Sequence, residues 1–191
     1  MLFRSTLIAG GKILVTGGTN FPDTLDIKSV EIYDPIGNTW TTSTPDMGTA
    51  RHGHTATLIS GGKVLLTGGQ NTGGALASAE IFDPAAAAGV GTWTATADMT
   101  GSGPSAASYG HTATLLPSGK VMVTGGLNGN NGLRSTAQTF DPTGNVGLGT
   151  WTAVAPMIGA RSSHTATLLS DGTVLVAFGS GGDTSTEVYK P

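Results

Sequence analysis

His54-Thr55-Ala56-Thr57-Leu58 recurs unchanged at 111–115 and again at 164–168. Working outward from these copies, three more elements repeat in the same order. A short apolar run closes on Gly17-Gly18, Gly68-Gly69 and Gly125-Gly126, with Phe178-Gly179 as a divergent fourth copy. Then come Glu31-Ile32-Tyr33-Asp34-Pro35, Glu80-Ile81-Phe82-Asp83-Pro84, Gln138-Thr139-Phe140-Asp141-Pro142 and Glu187-Val188-Tyr189-Lys190-Pro191. Last is Thr-Trp-Thr, centred on Trp40, Trp93 and Trp151. A fixed order of elements at a period of about 50 residues is the signature of a repeat architecture.

Each element reads as a strand, named A to D in the order above. Lys63-Val64-Leu65-Leu66-Thr67 and Lys120-Val121-Met122-Val123-Thr124 are short apolar runs ended by glycine, as strands buried on both faces should be. The A and D elements are rich in Thr and aromatics, which favour pleated, half-buried surfaces. Gly61-Gly62, Ser118-Gly119 and Asp171-Gly172 separate A from B and suit tight turns with positive φ. Proline after the aspartate ends strand C, because it cannot donate to a central ladder. No segment has sustained helical periodicity. The alanines 85–88 sit between Pro84 and Gly89-Val90-Gly91 and read as an inserted loop.

Composition narrows the function classes. Only 11% of the 191 residues are charged, Gly contributes 31, and the net charge is −3. Such a chain is neither a helical bundle nor a charged disordered segment. No cluster of Lys and Arg exists, so nucleic acid and anionic membrane have no electrostatic footprint to hold them. The absence of cysteine excludes disulfides, thiolate metal sites and cysteine nucleophiles within these residues. No run approaches 18 apolar residues, so no membrane span is expected. Met1-Leu2-Phe3-Arg4 lacks the basic start and apolar stretch of a signal peptide.

With the double glycine closing strand B, the Tyr or Phe before Asp-Pro and the Trp beyond it in place, the chain resembles a kelch-repeat β-propeller. This is the type that also forms the central domain of galactose-oxidase-like proteins. The resemblance implies an all-β propeller of four-stranded antiparallel blades, at about 1–47, 48–99, 100–157 and 158–191. Two departures stand out. Blade 1 has Phe3 where the others have His54, His111 and His164, and blade 4 has Phe178 for glycine and stops before strand D. Kelch rings resemble six or seven blades, so the chain is read as a propeller segment, a half that pairs with a second copy, or a small ring.

Residues at equivalent positions are read as architecture. His54, His111 and His164 could converge on a metal, but each occupies the same place in its own blade, which favours a structural role. Trp40, Trp93 and Trp151 are expected to pack between blades. The pairs Gly17-Gly18, Gly68-Gly69 and Gly125-Gly126 are expected where a side chain would meet the adjacent blade. No metal and no cofactor are predicted.

Function is expected where the repeats differ, in the B–C and D–A loops that share one end of the propeller. The candidate ligand-binding residues are Asn20, Asp23, Arg51, His52, Gln70, Asn71, Tyr109, Asn128, Asn130, Asn131, Arg134, Arg161 and Asp183. The same residue types also suit plain turns. The leading expectation is a non-enzymatic binding or scaffold module for a protein or glycan ligand, in an extracellular or cell-surface setting. One alternative is a fragment of a carbohydrate-active enzyme of oxidase or epimerase type, with its catalytic groups elsewhere. The galactose-oxidase resemblance implies a copper site with a cysteine-linked tyrosine, and this chain has no cysteine. Another alternative is an assembly subunit that closes a ring as a homo-oligomer or with additional blades.

Overall fold

The apolar runs ahead of each double glycine become the second strand of an antiparallel sheet, flanked on both sides and buried. In the computed structural model, residues 3–20, 25–43, 45–100, 107–181 and 185–191 are described. Blade 1 carries strands A to D at Arg4–Leu7, Ile13–Thr16, Val30–Asp34 and Thr39–Ser43. Blade 2 follows at Thr55–Leu58, Val64–Thr67, Ala79–Asp83 and Thr92–Ala95. Blade 3 has Thr112–Leu115, Val121–Thr124, Ala137–Asp141 and Thr150–Val154. Blade 4 has three strands, Thr165–Leu168, Val174–Ala177 and Thr186–Tyr189. The sheets of blades 1 to 3 run in the order A-B-C-D and that of blade 4 in the order A-B-C, and strand A of each blade lies beside strand A of the next. The fold is thus an all-β propeller, with three four-stranded blades and a fourth of three strands among the described residues. The alanine run expected as a loop contains one short 3-10 turn, Ala87–Gly89.

Within a blade, the aromatic before Asp-Pro stands directly opposite the tryptophan. Tyr33 pairs with Trp40, Phe82 with Trp93 and Phe140 with Trp151, with ring centroids 4.9, 4.8 and 4.9 Å apart. Tilted aromatic pairs at this separation add to the area they bury. The strand C aspartate then shapes the turn to strand D. Asp34, Asp83 and Asp141 accept backbone N–H groups two residues on, and each pairs with a lysine of strand B's entry (Lys12, Lys63, Lys120) at 3.1–3.3 Å.

Between blades lie three separate apolar cores, each with a methionine of the crossing segment. The first joins Ile8, Leu14, Val30 and Met47 of blade 1 to Val64, Leu66 and Phe82 of blade 2. The second joins Ile59, Leu65, Ile81 and Met99 to Val121, Val123, Phe140 and Trp151. The third joins Leu116, Met122, Ala137 and Met157 to Val174 and Val176. Met47, Met99 and Met157 belong to the crossing segment between strand D of one blade and strand A of the next. Full burial of each such side chain contributes roughly 1.5–3 kcal/mol. Trp93 and Trp151 pack at these seams, and Trp151 Nε1 donates to Ala97 O of the preceding blade at 2.9 Å. Trp40 departs from the expected inter-blade packing. It is 58% exposed, because it faces away from blade 2 on the outward side of blade 1.

Polar contacts repeat at the seams too. His54 Nε2 lies 2.9 Å from Thr16 Oγ1 of blade 1. His111 Nε2 lies 3.0 and 3.2 Å from Thr67 and Thr55 Oγ1 of blade 2, and His164 Nε2 lies 3.0 Å from both Thr124 and Thr112 Oγ1 of blade 3. Each imidazole therefore latches its own blade to the preceding one. Burial, reinforced by the Arg51 and Arg4 cations, drives the His54 pKa down to about 3. Burial first, then Arg4 for His111 and Arg161 for His164, drives those two down to about 4.

These latches make stability pH-dependent with a fixed sign. The unfolded histidines titrate near ~6.5 and the folded ones far lower. Between those values the unfolded chain binds more protons, so stability is full above pH ~6.5 and falls as the pH drops toward 4. Thermal melts at pH 7.5, 6 and 5 should show a falling Tm, and His111→Gln should lower Tm at pH 7.5 while flattening that fall. Parallel Tm–pH curves for the two proteins would contradict the assignment.

Candidate functional site

The site is built on the crossing segments that join one blade to the next. Each passes over the double glycine of the blade it leaves. Gly18, Gly69 and Gly126 N–H donate to Arg51, Ser108 and Arg161 O at 2.8–2.9 Å. The preceding glycines, Gly17, Gly68 and Gly125, have φ of +57, +57 and +64°, and a Cβ on any of them would collide with that same carbonyl. Glycine is therefore required twice over, by conformation and by space.

Two sequence candidates are consumed by this crossing. Arg51 and Arg161 were expected at a ligand surface; both are completely buried and fasten the seam instead. Arg51 donates to Gly68 O, Ser78 O, Ser78 Oγ and Glu80 Oε1, the last at 2.7 Å. Arg161 makes the matching set with Phe178 O, Ser185 O and Glu187 Oε1, again 2.7 Å from the carboxylate. Glu80 also accepts Gly48 and Thr49 N–H, and Glu187 accepts Ile158 and Gly159 N–H. The physical reason is that a guanidinium meets a carboxylate and carbonyls in one plane, which makes it tolerable without water. Arg134 is likewise buried, at 8% exposure, with its N–H donating to Gly126 O. These three are corrected from surface ligands to internal residues.

Blade 3 solves the same seam without charge. Ser108 stands at the arginine position and donates to Gly125 O at 2.9 Å, while Gln138 stands at the glutamate position and accepts Thr100 N–H at 2.8 Å. Arg51→Ser or Glu80→Gln alone should each cost about 3–5 kcal/mol, since each leaves a buried charge uncompensated. The double variant should lose less than the two combined by more than about 1 kcal/mol. Urea unfolding of the four proteins measures this, and strictly additive losses would refute the seam assignment.

The remaining candidates gather at the end of the propeller where these segments meet the B–C loops. His52 and Gln70 exchange backbone hydrogen bonds at 2.9 and 3.0 Å, Tyr109 and Leu127 at 2.8 and 3.1 Å, and Ser162 and Ser180 at 2.8 and 3.4 Å. Neighbouring crossings are also joined: Gly110 N–H donates to Gly53 O and Ser163 N–H to Gly110 O. The loops are thereby held as a continuous rim.

Side chains on this rim form two clusters. In the first, Asp26 Oδ1 lies 2.6 Å from His52 Nδ1, His52 Nε2 lies 3.0 Å from the Gln70 amide, and Thr72 N–H donates to Asp26 Oδ2 at 2.7 Å. Asn71 donates to Ala50 O at 3.2 Å. In the second, Tyr109 Oη donates to Asn131 Oδ1, and Asn128 Oδ1 accepts Asn130 and Gly132 N–H at 2.9 and 2.8 Å. His52, Gln70, Asn71, Tyr109 and Asn128 are half-buried; Asn130 and Asn131 are exposed. Asn20 is exposed on a two-stranded pairing of Thr19–Asn20 with Leu25–Asp26, and among the described residues no side-chain hydrogen bond joins it to either cluster. Asp23 and Asp183 lie outside the described residues. Sequence reading missed Asp26, and its only signal was membership of the longest B–C insertion.

Among the described residues, no group of three or more His, Asp and Glu side chains is placed to hold a metal. No helix there is long and apolar enough to cross a membrane.

The model of the KLHDC2/KLHL20/DRC7 Kelch-repeats domain matches residues 4–190. The chain belongs to this kelch family. Among solved structures, one described as "Structure of YjhT" is similar to it at a TM-score of 0.71 and 20% identity, over 92% of this chain. The chain spans 57% of that structure's length. A comparison with curated proteins finds no match. Identity of 20% speaks for the shared fold alone, and the kelch blades described above agree with it.

The Asp26–His52 contact fixes the long hairpin of blade 1 onto the loop of blade 2. Asp26→Asn should speed amide exchange at Thr19, Asn20 and Thr72 by about tenfold or more while shifting Tm by under 2 °C, since local openings fall below the global unfolding energy. Unchanged exchange at these amides would show that the carboxylate does not hold the hairpin.

Proposed function

We propose that this protein is a non-enzymatic protein-binding module and that the loop rim is its recognition surface. The observation that carries the reading is the division of labour between positions. Seam residues are spent on holding blades together, whereas Gln70, Tyr109 and Asn131 differ from blade to blade and reach solvent on a rim braced by backbone bonds, beside Asn71 and Asn128, which share one loop position. Rigid presentation of varied polar groups lowers the ordering cost of binding. Kelch propellers commonly serve as protein-binding scaffolds, and the chain's family membership supports the same use here.

The opposite end of the propeller offers a contrast. Its three lysine–aspartate pairs repeat from blade to blade and supply little to discriminate one partner from another. The rim also suits a bound segment that brings its own hydrogen-bonding groups, because Tyr and Asn supply apolar area and adaptable donors at low entropy cost.

A library of random 12-residue peptides selected on the immobilised protein tests this reading. Selected peptides should bind saturably, lose at least tenfold in affinity with Tyr109→Ala or Asn131→Ala, and be indifferent to Lys63→Ala at the far end. Equal losses from both ends would overturn the assignment of the face. A glycan array that returns ligands where the peptide library returns none would overturn the partner class.

A further inference from the structure

At the end of the propeller opposite the rim, two loops contain no charged residue. They join strands C and D of blades 2 and 3, at residues 84–91 and 142–149. Both are held in the same way. Gly89 and Gly91 N–H donate to Ala86 O, and Val90 N–H donates to Ala87 O. In blade 3, Gly147 and Gly149 N–H donate to Gly144 O, and Leu148 N–H donates to Asn145 O. Gly91 and Gly149 then press on Phe82 and Phe140, where a Cβ would collide with the ring. Each loop is therefore a built projection, anchored on the aromatic that its own blade buries.

What these projections present to solvent is aliphatic. Val90 and Leu148, at equivalent positions ahead of Gly-Thr-Trp, are 44 and 42% exposed, and Val146 is fully exposed. Blade 1 has a shorter turn, whose tip carries Ile36 at 88% exposure. The Asp34 carboxylate holds that tip by accepting the Ile36 and Gly37 N–H groups. Val146 also has φ of +54°, in the left-handed region that a β-branched residue enters only at a cost. In water alone, a strained valine at an exposed tip has no compensating contact. Behind the tips stand Lys12, Lys63 and Lys120, each tied to its aspartate, so these cations add no net charge to the end that carries them.

We infer that these tips insert into the surface of a neutral lipid bilayer and seat the propeller on it by this end. Three observations select lipid over a protein. The tips occupy equivalent places in successive blades, so rotation about the propeller axis sets them at one level, as a flat partner requires. Ile36, Val146 and Leu148 carry no hydrogen-bonding side chain, so they gain from leaving water without needing a particular residue opposite them. The lysines stand behind the tips, at headgroup depth once the tips are inserted. Their pairing with Asp34, Asp83 and Asp141 matches zwitterionic headgroups, which carry both signs, and gives anionic lipid no advantage. The inference is independent of the reading of the loop rim, which lies at the other end.

Flotation of the protein with phosphatidylcholine vesicles tests this. The unaltered protein should float with the vesicles, and equally well at low and high salt, because no net charge drives the association. Val146→Asp combined with Leu148→Asp should lower the bound fraction about tenfold or more, since two apolar side chains are lost from the inserted surface. Val146→Leu should float as the unaltered protein does. The aspartate pair alters exposed side chains only and should not lower the Tm, which separates lost insertion from lost folding. Tyr109→Ala, on the rim, should leave flotation unchanged. No flotation, flotation only after phosphatidylserine is added, or an aspartate pair that floats undiminished would each overturn the proposal. So would an unaltered protein that sediments as a dimer without lipid and becomes a monomer with the aspartate pair, because the tips would then cover one another.

Discussion

A main-chain carbonyl lies against the first glycine of each double-glycine pair, closer than any side chain would allow. Most of the structure follows from that approach. The carbonyl belongs to the segment leaving the blade, so the glycine fixes where the chain crosses to the next sheet. Once the crossing is fixed, its methionine falls into the apolar seam, its histidine reaches back to the threonine that ends strand B, and its arginine or serine reaches forward. The four contacts are coupled through one short stretch of backbone. A methyl group at Gly68 would therefore displace a set of seam interactions, and its effect would exceed that of a single steric clash.

The low charge of the chain has the same origin. A blade buries both faces of its sheet, so strands B and C can carry charge only where it is fully satisfied. Glu80 and Glu187 meet this condition because each accepts two backbone N–H groups as well as a guanidinium. Gln138 with Ser108 shows that the seam can also close neutrally, in keeping with the small net benefit of a buried ion pair over a neutral arrangement. What the arginine adds is a larger number of fixed contacts reaching across to strand C. Stability is then a sum of neighbour-to-neighbour terms, as in other repeat proteins.

The sequence was most informative where a physical requirement recurs. Strand order, the turns at Gly61-Gly62 and Gly119, and the double glycines were readable because each recurrence samples the same constraint. Arg51 and Arg161 were misread for an instructive reason: they lie in connections, and connections were equated with surface. Their burial depends on strand C of the following blade, about 30 residues away, which no local pattern reveals. The paired change of Arg and Glu to Ser108 and Gln138 was nevertheless visible in the chain itself. Trp40 was misjudged because an equivalent position was assumed to have an equivalent neighbour, and the outward face of blade 1 has none among the described residues. Asp26 left no trace beyond loop length, since its contact with His52 depends on how a hairpin folds over the rim.

Differences between repeats therefore need sorting before they are read as function. Some come in pairs that face each other across a seam: Ser108 with Gln138 replaces Arg with Glu. A paired change keeps both sides of the seam satisfied, so it reports on assembly. Others, such as Gln70, Tyr109 and Asn131, change together with partners that lie on the solvent-facing rim and not in the buried seam. Their contacts stay within the rim, and altering them leaves the seams intact. Applied to the thirteen candidates taken from the loops, this criterion removes Arg51 and Arg161 without any coordinates and retains the tyrosine and amides that the structure leaves on the rim.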